Sequence, residues 1–126
     1  MLNYDFLSPL DRPEILKNVF YPRKEFRKAM PGDIDLDIIV DEGITISSRL
    51  YPAGKEYPTI VYFHGNGEVV SDYDSIAPMF IQMDVNLFVV DYRGYGASMG
   101  TPTYADMLKD AHTALDAIKG FLADSG

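Results

Sequence analysis

An α/β fold with a partly parallel sheet is predicted by three features of this sequence. Two short, continuously apolar runs, Thr59-Ile60-Val61-Tyr62-Phe63 and Leu87-Phe88-Val89-Val90-Asp91-Tyr92, read as strands of a covered sheet. A stretch of helical character, roughly residues 72–83, lies between them, so the two strands are joined by a right-handed crossover and run parallel. An alternating segment with a tight turn precedes both, as expected of a hairpin on the same sheet.

Taken in order, residues 1–34 form an extension with one short helix. Asp11-Arg12-Pro13-Glu14 has the order of a helix start, with Asp11 as cap and Pro13 just inside. That helix is expected to end before Tyr21-Pro22. Residues 35–126 form the main body. Residues 35–40 alternate, Asp41-Glu42-Gly43 turns the chain, and residues 44–51 return. Ser71 and Ser75 are candidate caps of the crossover helix. The last helix carries an apolar stripe of Tyr104, Met107, Leu108, Ala111, Leu115, Ile118, Phe121 and Leu122, with Thr103 as its cap and Asp106 three residues on. Asp124-Ser125-Gly126 reads as the helix exit.

Bulk composition narrows the classes. A hydrophobic content of 47% over 126 residues fits one packed domain. A formal net charge of −8 disfavours a nucleic-acid partner. The one basic cluster, Arg23, Lys24, Arg27 and Lys28, reads as a solvated turn. With no cysteine there is no disulfide and no thiolate metal site, and no other ligand cluster suggests a metal. The first ten residues carry Asp5 and lack an apolar run, and no stretch is long enough to span a bilayer. The expectation is a soluble, cytoplasmic protein without cofactor. Residues 94–100 are not read as a dinucleotide loop, because Thr101-Pro102-Thr103 separates them from the helix and the glycine spacing differs.

Chemistry points to two loops. Phe63-His64-Gly65-Asn66-Gly67-Glu68 follows the first parallel strand, where glycines turn the chain and leave amides facing outward. Such amides at a strand mouth suit a negatively charged oxygen. The second loop, Asp91-Tyr92-Arg93-Gly94-Tyr95-Gly96-Ala97-Ser98-Met99-Gly100-Thr101-Pro102-Thr103, leaves the second strand at the same end of the sheet. Asp91 closes a buried strand and needs a partner, either Arg93 or amides of the neighbouring loop.

In this order, with one helix between them, these loops resemble the α/β-hydrolase superfamily, and most of all its serine hydrolases with a His-Gly-Asn oxyanion loop. The likeness is dense from Pro58 to Thr103 and looser back to Asp35. It implies an α/β-hydrolase sheet, here incomplete: the N-terminal hairpin plus strand, helix, strand and helix. It also implies that the Asn66 amide is an oxyanion donor shaped by Gly65 and Gly67, with His64 and Glu68 supporting the loop, and that Asp91, Arg93, Gly94 and Gly96 are scaffold. The family nucleophile is the serine of Gly-x-Ser-x-Gly at a strand-to-helix elbow, followed in chain order by the acid and the histidine. The resemblance puts that elbow just after Gly126, so all three are expected outside these residues. The chain then reads as an N-terminal segment of a serine hydrolase with a small acyl substrate, inactive alone. The alternative is a non-enzymatic interaction module on the same scaffold. Ser98 and His112 are read as structural. The Thr59–Phe63 strand is expected at an open edge, through which copies associate as a homo-oligomer.

Overall fold

The computed structural model describes residues 3–124. A four-stranded sheet forms its centre: β1 (Ile34–Asp41), β2 (Ile44–Tyr51), β3 (Thr59–Phe63) and β4 (Asn86–Val90), in spatial order β1-β2-β4-β3. The β1–β2 hairpin is antiparallel and turns through Glu42-Gly43, with Gly43 at φ 70°. β2 pairs antiparallel with β4, and β3 pairs parallel with β4, with Thr59 opposite Asn86 and Phe63 opposite Val90. The partly parallel sheet is therefore as predicted.

Alternation along β4 builds two cores. Phe88 and Val90 face one side, with Ile38, Val40, Ile46 and Leu50, and are covered by Ala114 and Ile118 of α3 (Tyr104–Asp124). Leu87 and Val89 face the other, with Tyr51, and are covered by Val70, Tyr73 and Ala77. All five β4 residues are buried.

β3 departs from expectation. Its apolar run predicts cover on both faces, yet Ile60 and Tyr62 are 43% and 41% exposed. The reason is position: β3 has β4 on one side only and no strand on the other among the described residues. The crossover also differs. A 3₁₀ turn (Val70–Ser75) precedes a short α2 (Ala77–Gln82), with Pro78 in the first turn of α2. Proline lacks the amide that would continue one helix through this point. Ser71 does not cap; its hydroxyl accepts the Arg27 amide at 3.0 Å.

Two helix starts were read with unequal success. Thr103 Oγ1 accepts the Asp106 amide at 3.1 Å, as predicted. Asp11, however, does not cap α1 (Pro13–Val19), whose N-cap is Arg12. Its carboxylate instead accepts the Tyr104 and Ala105 amides at 2.7 and 3.2 Å, so the extension caps α3 from 93 residues away. The helix exit expected at Ser125-Gly126 lies outside the described residues. Among those described, no helix is long and apolar enough to cross a membrane.

The α3 face is testable. Ile118 is fully buried and Leu115 half-buried. Ile118→Ala should cost about 3 kcal/mol and Leu115→Ala about a third of that, read from urea midpoints. Equal losses would mean the helix is rotated from this face.

Candidate functional site

The site is assembled on one buried carboxylate. Asp91 follows β4 directly and has no exposed side-chain surface. Its Oδ1 accepts His64 Nε2 at 2.6 Å and the Val70 amide at 3.0 Å, and its Oδ2 accepts the Ser47 hydroxyl at 2.9 Å. An ionised carboxylate only accepts, so His64 carries its proton on Nε2. The His64 side chain is equally buried. One residue thus joins β2, the end of β3, the crossover and the second loop.

Arg93 is not the partner of Asp91. Strand alternation would leave the two on one face, but the chain turns at Arg93-Gly94, with Gly94 at φ 81°, and swings Arg93 to the α3 side. There it holds Asp110 through Nε at 2.7 Å and Nη2 at 3.0 Å. That bidentate bond to Asp110 pushes the guanidinium pKa up further.

Gly96 explains the second loop. At φ 53°, any Cβ there would collide with the Asp91 carboxylate. A side chain would therefore displace the group on which the loops converge. Gly94 is constrained as well, since a Cβ would lie 3.1 Å from the Gly100 carbonyl and from Pro102.

Above Asp91 lies the His64-Gly65-Asn66-Gly67-Glu68 loop. Glu68 Oε1 accepts the Gly65 amide at 2.5 Å and the Tyr73 hydroxyl at 2.8 Å. The Tyr92 hydroxyl donates to the His64 carbonyl. The Asn66 side chain is fully engaged: Oδ1 accepts the Tyr95 hydroxyl at 2.5 Å and the Tyr21 amide at 3.0 Å, and Nδ2 donates to the Val19 carbonyl. Gly65 and Asn66 remain exposed, and the Asn66 amide has no partner among the described residues.

No pattern in the sequence shows how the extension meets this loop. Residues 19–27 cross both loops as a strap. Arg23 Nη1 donates to the Gly67 carbonyl at 3.0 Å and to Asp72 at 2.7 Å, while the Arg23 carbonyl accepts the Gly96 amide at 2.5 Å. Burial works against ionisation of Asp72, but the bond from Arg23, the Val69 amide and the nearby Arg23 and Arg27 charges together outweigh it and hold its pKa below the usual carboxylate range. The expected solvated turn is thus wrong at Arg23, which is half-buried and tied down. The contacts use mostly backbone groups of the strap, which leave no side-chain pattern to read.

A cavity of about 160 Å³ opens beside Asn66, lined by Val19, Phe20, Asn66, Tyr92, Tyr95, Tyr104 and Met107. Burial pushes the Tyr92 phenol up to about 12 and raises that of Tyr95, so this lining is uncharged near neutrality.

The pentapeptide Gly-x-Ser-x-Gly, expected only beyond Gly126, does occur within these residues as Gly96-Ala97-Ser98-Met99-Gly100, which corrects that expectation. Its setting is different. No helix follows Ser98 directly, its side chain is buried, and its Oγ accepts the Ser47 amide at 2.8 Å. Among the described residues no serine hydroxyl bonds a histidine. His112 is exposed on α3, its ring 6.2 Å from that of Tyr4. No cluster of three or more metal-ligating side chains occurs among the described residues either.

A hairpin and a parallel pair in this order, with a His-Gly-Asn loop and an Asp-Tyr-Arg-Gly-Tyr-Gly loop at one end, define an α/β-hydrolase sheet. Residues 54–122 match the family described as serine aminopeptidase, S33, and the chain belongs to that family. It is 33% identical over 78 residues to protein YfhR of Escherichia coli K12, covering 62% of this chain and 28% of YfhR. It is 39% identical over 64 residues to the α/β-hydrolase domain-containing protein WAV2 of Arabidopsis thaliana, covering 50% of this chain and 21% of WAV2. Among solved structures, the Pyrococcus furiosus esterase Pf2001 superimposes with a TM-score of 0.61 at 14% identity, covering 81% of this chain and 41% of the esterase. That likeness is one of fold. The chain spans between 28% and 39% of the YfhR proteins it matches.

The glycines separate strain from collision. Gly67 has φ 82° with nothing within 4 Å of a Cβ, so Gly67→Ala should cost about 1 kcal/mol of backbone strain. Gly96→Ala adds the loss of Asp91 hydrogen bonds and should cost about 3 kcal/mol. Chemical denaturation of both variants checks the order; equal costs would contradict the contact with Asp91.

Proposed function

We propose that this chain carries the oxyanion loop of a serine hydrolase acting on a carboxylic ester, thioester or amide. In that reaction a serine Oγ adds to the substrate carbonyl and the carbonyl oxygen becomes an oxyanion. Collapse expels the alcohol, thiol or amine, which takes up a proton, and water then releases the acid. The Asn66 amide is one oxyanion donor in this reading, and the amide after the nucleophile is the other. The observation that carries it is the Asn66 amide, which has no partner among the described residues, on an exposed residue that lines a cavity without charged side chains. Loss of one such donor lowers rates by about 100- to 1,000-fold in acyl transfer.

The nucleophile, acid and catalytic histidine are proposed to lie outside these residues. His64 supports this: its Nε2 proton is committed to Asp91 at 2.6 Å and its side chain is fully buried. Purified residues 1–126 should neither hydrolyse a nitrophenyl ester above the rate of buffer nor take up a fluorophosphonate probe. Labelling at Ser98 would overturn both the scaffold role of that residue and the inactivity of the chain.

Self-association through β3 is a separate proposal. The strand has no charged residue and an open backbone edge, whereas the other edge, β1, carries Asp35, Asp37 and Asp41. Charged edges resist pairing and uncharged ones invite it. Sedimentation should show an oligomer at high concentration that Val61→Lys dissociates. A monomer at every concentration would contradict it.

A further inference from the structure

The cavity beside Asn66 is roofed in part by the strap, and this gives the extension a second task. Phe20 is buried, its ring 5.2 Å from that of Tyr104. Val19 and Phe20 line the cavity together with Tyr104 and Met107 of α3 and with Tyr92 and Tyr95. The two loop phenols that could make this lining polar are spent, with the Tyr92 hydroxyl on the His64 carbonyl and the Tyr95 hydroxyl on Asn66. The lining is mostly apolar and carries no charged side chain.

Resting on the oxyanion reading of Asn66, we propose that this cavity receives the acyl group and that Phe20 makes it favour short apolar or aryl groups over long chains. The volume of about 160 Å³ is enough for one aryl ring, since an apolar cavity of about 150 Å³ accommodates benzene. The charge of the lining sets the class: a charged acyl group would be desolvated there without a partner. Val19 and Phe20 line the cavity, while the Val19 carbonyl and the Tyr21 amide hold the Asn66 side chain. Substrate size and loop position are therefore set by one strap.

The test uses neutral primary amides as carbonyl probes, since an anionic probe would be repelled by a chain of net charge −8. Benzamide and octanamide are titrated into the full chain, following the Asn66 amide and the Met107 methyl group by NMR. Benzamide should shift both signals saturably, with octanamide at least tenfold weaker. Phe20→Ala should remove that preference, and Phe20→Trp, which fills the space while keeping an aromatic contact to Tyr104, should abolish benzamide binding. If the Asn66 amide responds and Met107 does not, the acyl-cavity proposal falls while the oxyanion reading stands. If Met107 responds and Asn66 does not, the cavity binds but the oxyanion reading falls. An unchanged size preference in both folded Phe20 variants would overturn the limiting role of that residue.

Discussion

A single buried carboxyl group organises the loop-bearing end of this sheet. Asp91 has no exposed side-chain surface, and removing such a group from water is tolerable only because three donors meet it. Those donors come from three places: Ser47 on β2, His64 at the end of β3, and the Val70 amide in the crossover. The glycine facing it, Gly96, belongs to the second loop. Four segments distant in sequence are thereby set relative to one another by one residue. The position of Asn66 is a consequence, because the loop that bears it is held by His64 on one side and by the strap on the other.

A second layer of order comes from the extension. Arg23 reaches Gly67 and Asp72, its carbonyl takes the Gly96 amide, and Asp11 caps α3. Arg49 continues the pattern below: with no exposed side-chain surface, it pairs with Asp35 at 2.6 Å and Asp74 at 3.2 Å and donates to the Arg27 carbonyl. Residues 11–27 are thus integrated with the sheet. The division into an extension and a body describes the sequence better than the packing.

Legibility in the sequence followed the range of the interaction. The strands, the hairpin turn at Gly43 and the stripe of α3 are set by local periodicity and turn chemistry, and they were readable. The two loops were readable because glycine and apolar strand ends leave compact signatures. What was not readable depends on pairing over long separations. Asp91 needed a partner, but its choice of His64 over Arg93 depends on a turn that reverses one side chain. Asp11 has the sequence of a local cap and serves a distant helix. Besides the Arg23 side chain, the strap works through backbone groups at positions 19, 21 and 23, to which composition and spacing are blind. Gly96 to Gly100 shows the reverse hazard, a motif whose letters are present but whose serine is buried in a network without a histidine base.

The most direct test of this account is amide hydrogen exchange in Asp91→Asn. Asparagine keeps the shape but has only one oxygen to accept what two did. The Val70 amide and the amides of the Arg93–Ser98 turn should lose protection together and by a similar factor, while α3 around Ala114 and Ile118 keeps its protection. Loss confined to one loop, with the other unchanged, would contradict the claim that Asp91 holds both.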